Sequence, residues 1–227
     1  MHRPRANPAG KARDPKAAAG RTAQVRIARD PFDAGARQAA RAALVAARRG
    51  QTAAERAAGQ ATLLEHLEAL LGDVDGELVG VYWPVRGEPD LAPLLARWAA
   101  RGVRLALPVV RGAGQPLAFV GWAPGDATRP GAFGIAEPAA GEPVRPTVLV
   151  VPCLGFGPQG HRLGYGGGFY DRTLAAWDAD GARPPLAIGV AWDHGFLPGF
   201  EPLPTDRPLA AVVTPSGVRR GVRPPGR

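Results

Sequence analysis

Between His161 and Arg172 the chain reads HRLGYGGGFYDR. Gly164, Gly166, Gly167 and Gly168 leave Tyr165 as the one side chain in five positions, and Phe169, Tyr170, Asp171 and Arg172 follow at once. Glycine lets main-chain N–H groups approach a ligand with no Cβ in the way. A helix opening directly after such a turn adds unpaired donors and the positive end of its dipole. That combination binds anions, phosphate above all, and Arg162 just before the turn adds charge. Asp171 falls in the first turn of the expected helix, off the stripe of Tyr170, Leu174 and Trp177 that the spacing assigns to the core. A carboxylate beside bound phosphates suits Mg²⁺, which takes one or two carboxylates and completes its shell with phosphate oxygens and water. Taken alone, the same residues also describe a plain tight turn whose Asp171 complements the helix dipole.

A second pair of cations stands far upstream. Arg37 and Arg41 are four residues apart, so a helix puts both on one face, where they can grip one polyanion. Lysine occurs only at Lys11 and Lys16, which excludes a Walker A loop. Cys153 is the sole cysteine, so no disulfide framework or multi-cysteine zinc site exists and a reducing cytoplasm is expected. It ends an apolar run and reads as packing rather than nucleophile. His66 reads as a boundary residue of a helix and His161 and His194 as loop-borne, with neither zinc-ligand spacing nor a Ser–His–Asp set.

The formal net charge is +8 in 227 residues. Residues 1–30 hold eight Lys/Arg against Asp14 and Asp30, and residues 216–227 hold four Arg and no acid, so 31–215 carries −2. The expected organisation is a basic disordered tail (1–30), one α/β domain (31–215) and a second basic disordered tail (216–227). The domain itself is not basic, which argues against nucleic acid as its partner, although a nucleic-acid binder acting through its tails is an alternative. No apolar stretch approaches the twenty or so residues that cross a bilayer.

The elements that must hold these groups follow from hydrophobic period and turn residues. Residues 36–71 read as two helices broken near Gly50, the second capped by Thr52 with Glu55. Strands are expected at 77–84, 103–110, 116–124, 147–156, 185–192 and 209–215, with helices at 90–102 and from the glycine turn to about Trp177. Strands apolar throughout and alternating with helices indicate a mostly parallel sheet covered on both faces. Ligands in such sheets bind beyond the carboxyl ends of the strands, where the glycine turn lies.

VPCLGFGPQGHRLGYGGGFYDRTLA (151–175) closely resembles the hallmark segment of the 5-formyltetrahydrofolate cyclo-ligase (5,10-methenyltetrahydrofolate synthetase) family, and the resemblance covers about 36–215. It implies a three-layer sandwich with a mostly parallel central sheet, NagB/RpiA/CoA-transferase-like, preceded by a helical segment. It implies a monomeric cytoplasmic enzyme that uses ATP and Mg²⁺ to close 5-formyltetrahydrofolate to the 5,10-methenyl form. By the same resemblance, Arg37, Arg41 and the run Arg162, Leu163, Gly164, Tyr165, Gly166, Gly167, Gly168, Phe169 and Tyr170 bind ATP, with Arg162 and Tyr170 catalytic. Trp83 and Glu88, in VYWPVRGEPD, join Tyr165, Gly166, Gly167, Gly168 and Phe169 on the folate. The chemistry agrees, since a flat aromatic stacks on a pterin and a carboxylate accepts two hydrogen bonds from its amino-pyrimidinone edge. Asp206, in LPTDRPLAAVVTP, shares the metal with Asp171. Besides Arg37, where the family commonly has lysine, four positions depart from the family: Gly157 for Asp, Phe169 for Tyr, Gly195 for Gln and Ala210 for a second Asp. Gly157 is expected to loosen its loop, and Gly195 and Ala210 leave room for a nucleotide-binding homologue without the activity.

Overall fold

The computed structural model describes residues 33–181 and 183–221; the expected N-terminal tail lies outside them. Two helices open the chain, α1 (Ala34–Gly50) and α2 (Ala53–Leu71). The capping box closes as expected: the Glu55 N–H donates to the Thr52 hydroxyl and the Thr52 N–H to the Glu55 carboxylate. After β1 (Leu78–Gly80) come α3 (Ala92–Ala100), β2 (Arg104–Val110) and β3 (Leu117–Gly121). A small hairpin, β4 (Thr128–Pro130) and β5 (Ala136–Pro138), precedes β6 (Pro143–Val144) and β7 (Val148–Pro152). Then follow β8 (Gly155–Phe156), β9 (Arg162–Leu163), α4 (Phe169–Ala179), β10 (Leu186–Val190), β11 (Ala211–Thr214) and β12 (Gly217–Arg220).

The main sheet runs β12-β11-β10-β7-β1-β2-β3-β6, parallel from β11 to β2 and antiparallel at both edges. Its central strands are buried on both faces, which is why they read as continuous apolar runs. On β7, Val148 and Val150 join the α2 and α3 side, with Leu67 and Trp98, whereas Leu149 and Val151 join the α4 side, with Leu174. Three layers result. From β1 the chain leaves through α3 toward β2, and from β7 it leaves through α4 toward β10 on the opposite side. Loops diverging in opposite directions open a crevice beyond the carboxyl ends of β1 and β7.

Helix α1 stands apart from the layers. Its Ala40 and Leu44 pack with Leu154, Leu163, Leu197 and Phe200, the loops beyond those strand ends. Leu44→Ala is expected to destabilise the fold by about 2–5 kcal/mol, read by urea denaturation, and to weaken nucleotide binding by loosening the helix that carries Arg37 and Arg41.

Three expectations change. The strand expected at 77–84 is only three residues long, because Val81 onward turns into the loop that carries Trp83 and Glu88. The C-terminal tail expected from residue 216 instead supplies β12, paired antiparallel with β11 from Gly217 to Arg220; residues 222–227 lie outside the description. His194 sits in a short 3₁₀ turn, Asp193–Gly195, rather than an open loop.

Candidate active site

Two cavities meet in the crevice. One, about 560 Å³, is polar: Arg37 and Arg41 of α1, Arg162, Arg172 and Arg207 line it against Asp171 and Asp206. Five guanidinium groups against two carboxylates make a net-positive hollow in a domain that is otherwise slightly acidic, so field lines focus there on an anion. The other, about 430 Å³, is largely apolar, walled by Trp83, Tyr82, Phe133, Tyr165 and Phe169 with Glu88 among them. Arg162, Gly164 and Gly168 line both. The glycine turn is the partition.

Its backbone shows why glycine stands there. Gly166 (φ 101°) and Gly168 (φ 63°) occupy left-handed conformations that side chains disfavour. Residues along the turn face alternate sides: Gly166 lies toward the polar cavity, Tyr165 and Gly167 toward the apolar one. Gly168 caps α4 with no side-chain partner for the helix. Among the described residues, the N–H groups from Gly164 to Asp171 meet no protein acceptor. Consecutive unpaired donors at a helix start form an anion cradle.

The sequence-expected residues converge here. Arg37 and Arg41 both line the polar cavity; Arg41 donates through Nε to the Gly164 carbonyl at 2.9 Å, tying α1 to the turn. Burial, then the charge of Arg37, presses the Arg41 pKa below the usual guanidinium range. Leu163 lines the same cavity. Arg162 is buried, pairs with Asp171 at 2.8 Å and lies over the Tyr170 ring at 5.3 Å. Tyr170 faces the apolar cavity and also packs with Leu174 and Trp177, on the core stripe the spacing assigned. Burial pushes its phenol well above the ordinary range, so it enters the site as a neutral hydroxyl. Trp83 lines the apolar cavity and meets Trp122 edge-on at 6.0 Å. Glu88 is 6% exposed and accepts from the Val85 N–H at 3.1 Å. Desolvation raises its pKa, and the Val85 amide and Arg48 oppose that shift.

Asp171 and Asp206 line one cavity, each already holding a cation. Asp171 takes Arg162 at Oδ2 and the Arg207 N–H at Oδ1, 3.1 Å. Asp206 takes Arg37 at 2.8 Å and the Leu203 N–H at 2.8 Å. Two hard oxygen donors beside a phosphate cradle fit Mg²⁺, and no cluster of three or more His, Cys, Asp or Glu exists among the described residues, so phosphate and water oxygens must complete any shell.

Several participants escaped sequence reasoning. Arg48 extends the Arg37/Arg41 face by a further seven residues, and that helical spacing was the available signal. Phe133, 74% exposed at the tip of the β4–β5 hairpin, lies 6.0 Å from the Phe169 ring at the cavity mouth; a Gly- and Pro-rich stretch hid it. Of the four departures, Gly157 does not loosen its loop: a Cβ there would stand 2.9 Å from Phe200, whose ring fills the space. Gly195 and Ala210 line neither cavity. Cys153 is wholly buried with its thiol pushed up to about 12, fit for packing and not for attack. No helix among the described residues is long and apolar enough to cross a membrane.

A sequence profile of the 5-formyltetrahydrofolate cyclo-ligase family matches residues 33–215. The chain is 37% identical over 147 residues to the 5-formyltetrahydrofolate cyclo-ligase of Escherichia coli K12, covering 62% of this chain and 79% of that one. It is 35% identical over 161 residues to that of Mycolicibacterium smegmatis, covering 66% and 77%. The NMR structure of Aquifex aeolicus 5,10-methenyltetrahydrofolate synthetase superimposes with a TM-score of 0.70 at 28% identity, over 84% of this chain and 95% of that one. The Mycoplasma pneumoniae synthetase shares the fold at 18% identity and a TM-score of 0.64, over 79% and 98%. Matched from the cap of its first helix through its last parallel strand, the chain belongs to the 5-formyltetrahydrofolate cyclo-ligase family.

Proposed function

We propose that this protein converts 5-formyltetrahydrofolate and ATP to 5,10-methenyltetrahydrofolate, ADP and phosphate. The observation that carries this reading is the shared wall: a cationic cavity and an aromatic one separated by little more than the main chain of the glycine turn. An N-formyl group is an unreactive amide whose oxygen leaves poorly. Attack of that oxygen on the γ-phosphorus breaks the bond to ADP and gives an imino-phosphate. N10 then attacks the formyl carbon, the C–O bond breaks, phosphate departs with the oxygen and N10 loses its proton. Neither step needs a side-chain nucleophile, and Arg162, Gly164 and Gly168, which line both cavities among the described residues, offer none.

The residues supply position and charge. The N–H groups of 164–168, with Arg37, Arg41 and Arg162, hold the triphosphate; Trp83, Phe169 and Glu88 hold the pterin. Arg162, lining both cavities, meets the transferring phosphoryl group and the formyl oxygen together. Asp171 and Asp206 would hold Mg²⁺, which neutralises phosphate charge when bound. We place the enzyme in the cytoplasm as a monomer. Purified protein given 5-formyltetrahydrofolate should develop the near-ultraviolet absorbance of the methenyl product only when ATP and Mg²⁺ are both added. Absence of an ATP-dependent product would end this reading, and full turnover with EDTA would end the metal assignment.

A further inference from the structure

Arg48 lines neither cavity, yet at 1% exposure it is the most deeply buried charged side chain among the described residues. It sits in the last turn of α1. Its Nη1 donates to the Tyr165 hydroxyl at 2.8 Å and lies 3.9 Å from the Glu88 carboxylate, while Nη2 donates to the Cys153 carbonyl at 3.1 Å. Nε has no partner among the described residues. A buried guanidinium carries a large desolvation cost, and a packed apolar side chain would stabilise a core as well or better. Two of its three contacts are walls of the aromatic cavity. The structure therefore places a buried charge against two residues that line the aromatic cavity.

We propose that Arg48 is a positioning residue for the folate, acting through Glu88 and Tyr165: it holds the carboxylate as acceptor for the amino-pyrimidinone edge and pins the tyrosine, so that the folate wall and the glycine turn move as one piece. The inference rests on the substrate reading above. The surroundings leave Glu88 few other charges. Its own loop offers the Val85 N–H and the exposed Arg86, whose guanidinium lies over the Tyr165 ring at 5.1 Å. Tyr82, Tyr170 and Cys153 face it from the core, and burial keeps all three protonated and neutral. On the other side of Arg48, burial and then the Arg48 charge hold His194 down to about 4, so it is neutral too; Arg56 donates to the carbonyls of Arg48 and Gln51, at 3.5 and 3.4 Å. Arg48 is thus the buried cation set against the desolvation of Glu88. Without it, Glu88 takes up its proton at higher pH; since the protonated acid is the poorer acceptor, folate affinity falls on the acid side and returns as pH rises.

Equilibrium binding of 5-formyltetrahydrofolate, and separately of ATP with Mg²⁺, across pH tests this. Arg48→Met should weaken folate binding at neutral pH by roughly tenfold or more, one pKa unit being a factor of ten, and move the acid limb of the folate profile to higher pH. ATP affinity should change by less than about threefold. Arg48→Lys should restore the position of the limb while leaving affinity below wild type, because an ammonium keeps the charge but not the fork. In a Glu88→Gln background, Arg48→Met should move no limb. Should the methionine variant fail to fold, Arg48→Lys and Tyr165→Phe carry the test, both weakening folate more than ATP. Folate and ATP affinities falling in parallel, with the limb fixed, would overturn the proposal and leave Arg48 a structural pin. Glu88→Gln with undiminished folate binding would remove the substrate reading and this inference together; a weakened Glu88→Gln beside inert Arg48 variants would remove the inference alone.

Discussion

Arg162→Ala is expected to lower kcat by roughly 10³-fold, the scale seen when a preorganised cation or donor is removed from a transition state. Arg162 borders both cavities, and in the proposed reaction its charge faces the γ-phosphoryl group as it passes to the formyl oxygen. In that reading neither substrate's ground state needs it alone, because Arg37 and Arg41 line the cavity proposed for the triphosphate and Glu88 the one proposed for the pterin. The KM values should therefore move far less than kcat. The loss also strands the half-buried Asp171, its partner at 2.8 Å, and breaking the pair destabilises by at most the roughly 3–5 kcal/mol of a fully buried one. Single-turnover rates on protein shown folded by its thermal melt separate the two effects. Arg162→Lys, which keeps charge without the planar fork, should recover only part of the rate. A fall under about tenfold in folded Arg162→Ala would reduce Arg162 to a structural partner of Asp171.

The second large effect belongs to Asp171→Asn. Losing one of two carboxylates from a Mg²⁺ site should cut turnover at ordinary Mg²⁺ by roughly 10²-fold and raise the Mg²⁺ concentration for half-activity. In the structure Asp171 holds Arg162 and Asp206 holds Arg37, so each acid occupies a guanidinium that the proposed reaction assigns to phosphate. Nucleotide and metal arriving together would let both pairs exchange partners, the arginines turning to phosphate while Asp171 and Asp206 would hold the metal. ATP arriving alone must break the pairs without that compensation. Asp171→Asn, which frees Arg162, should accordingly bind metal-free ATP at least as tightly as wild type while binding it less tightly with Mg²⁺, as calorimetry would read. Undiminished Mg²⁺-supported turnover in this variant would retire the assignment.

Much of this was legible because the central strands are buried on both faces and carry no alternation to misread. VLVVP in β7 announces itself, and Thr52 with Glu55 marks a helix start by a hydrogen-bond pattern that is local. The glycine turn was equally plain as a turn, since consecutive glycines favour neither helix nor strand. What stayed hidden was set by distant contacts. β12 is an Arg-rich stretch that becomes a strand only because β11 offers an open edge. The β4–β5 hairpin is two three-residue strands around Gly and Pro, too short for any period to show. Gly157 read as a weakness until Phe200, more than forty residues on, proved to fill its space. Arg48 lay on a visible helical face, yet Tyr165 and Glu88, which give it a purpose, come from loops far along the chain.

A divider made of main chain is also thin. In the proposed reaction, where it carries no side chains, the incoming pterin is what screens the terminal phosphate from bulk water. An enzyme so arranged must rely on its second substrate to act as the cork, and idle hydrolysis of nucleotide becomes the natural failure whenever that seat is empty. Phe133, perched at the rim opposite Phe169, is placed to keep the seat dry once it is filled.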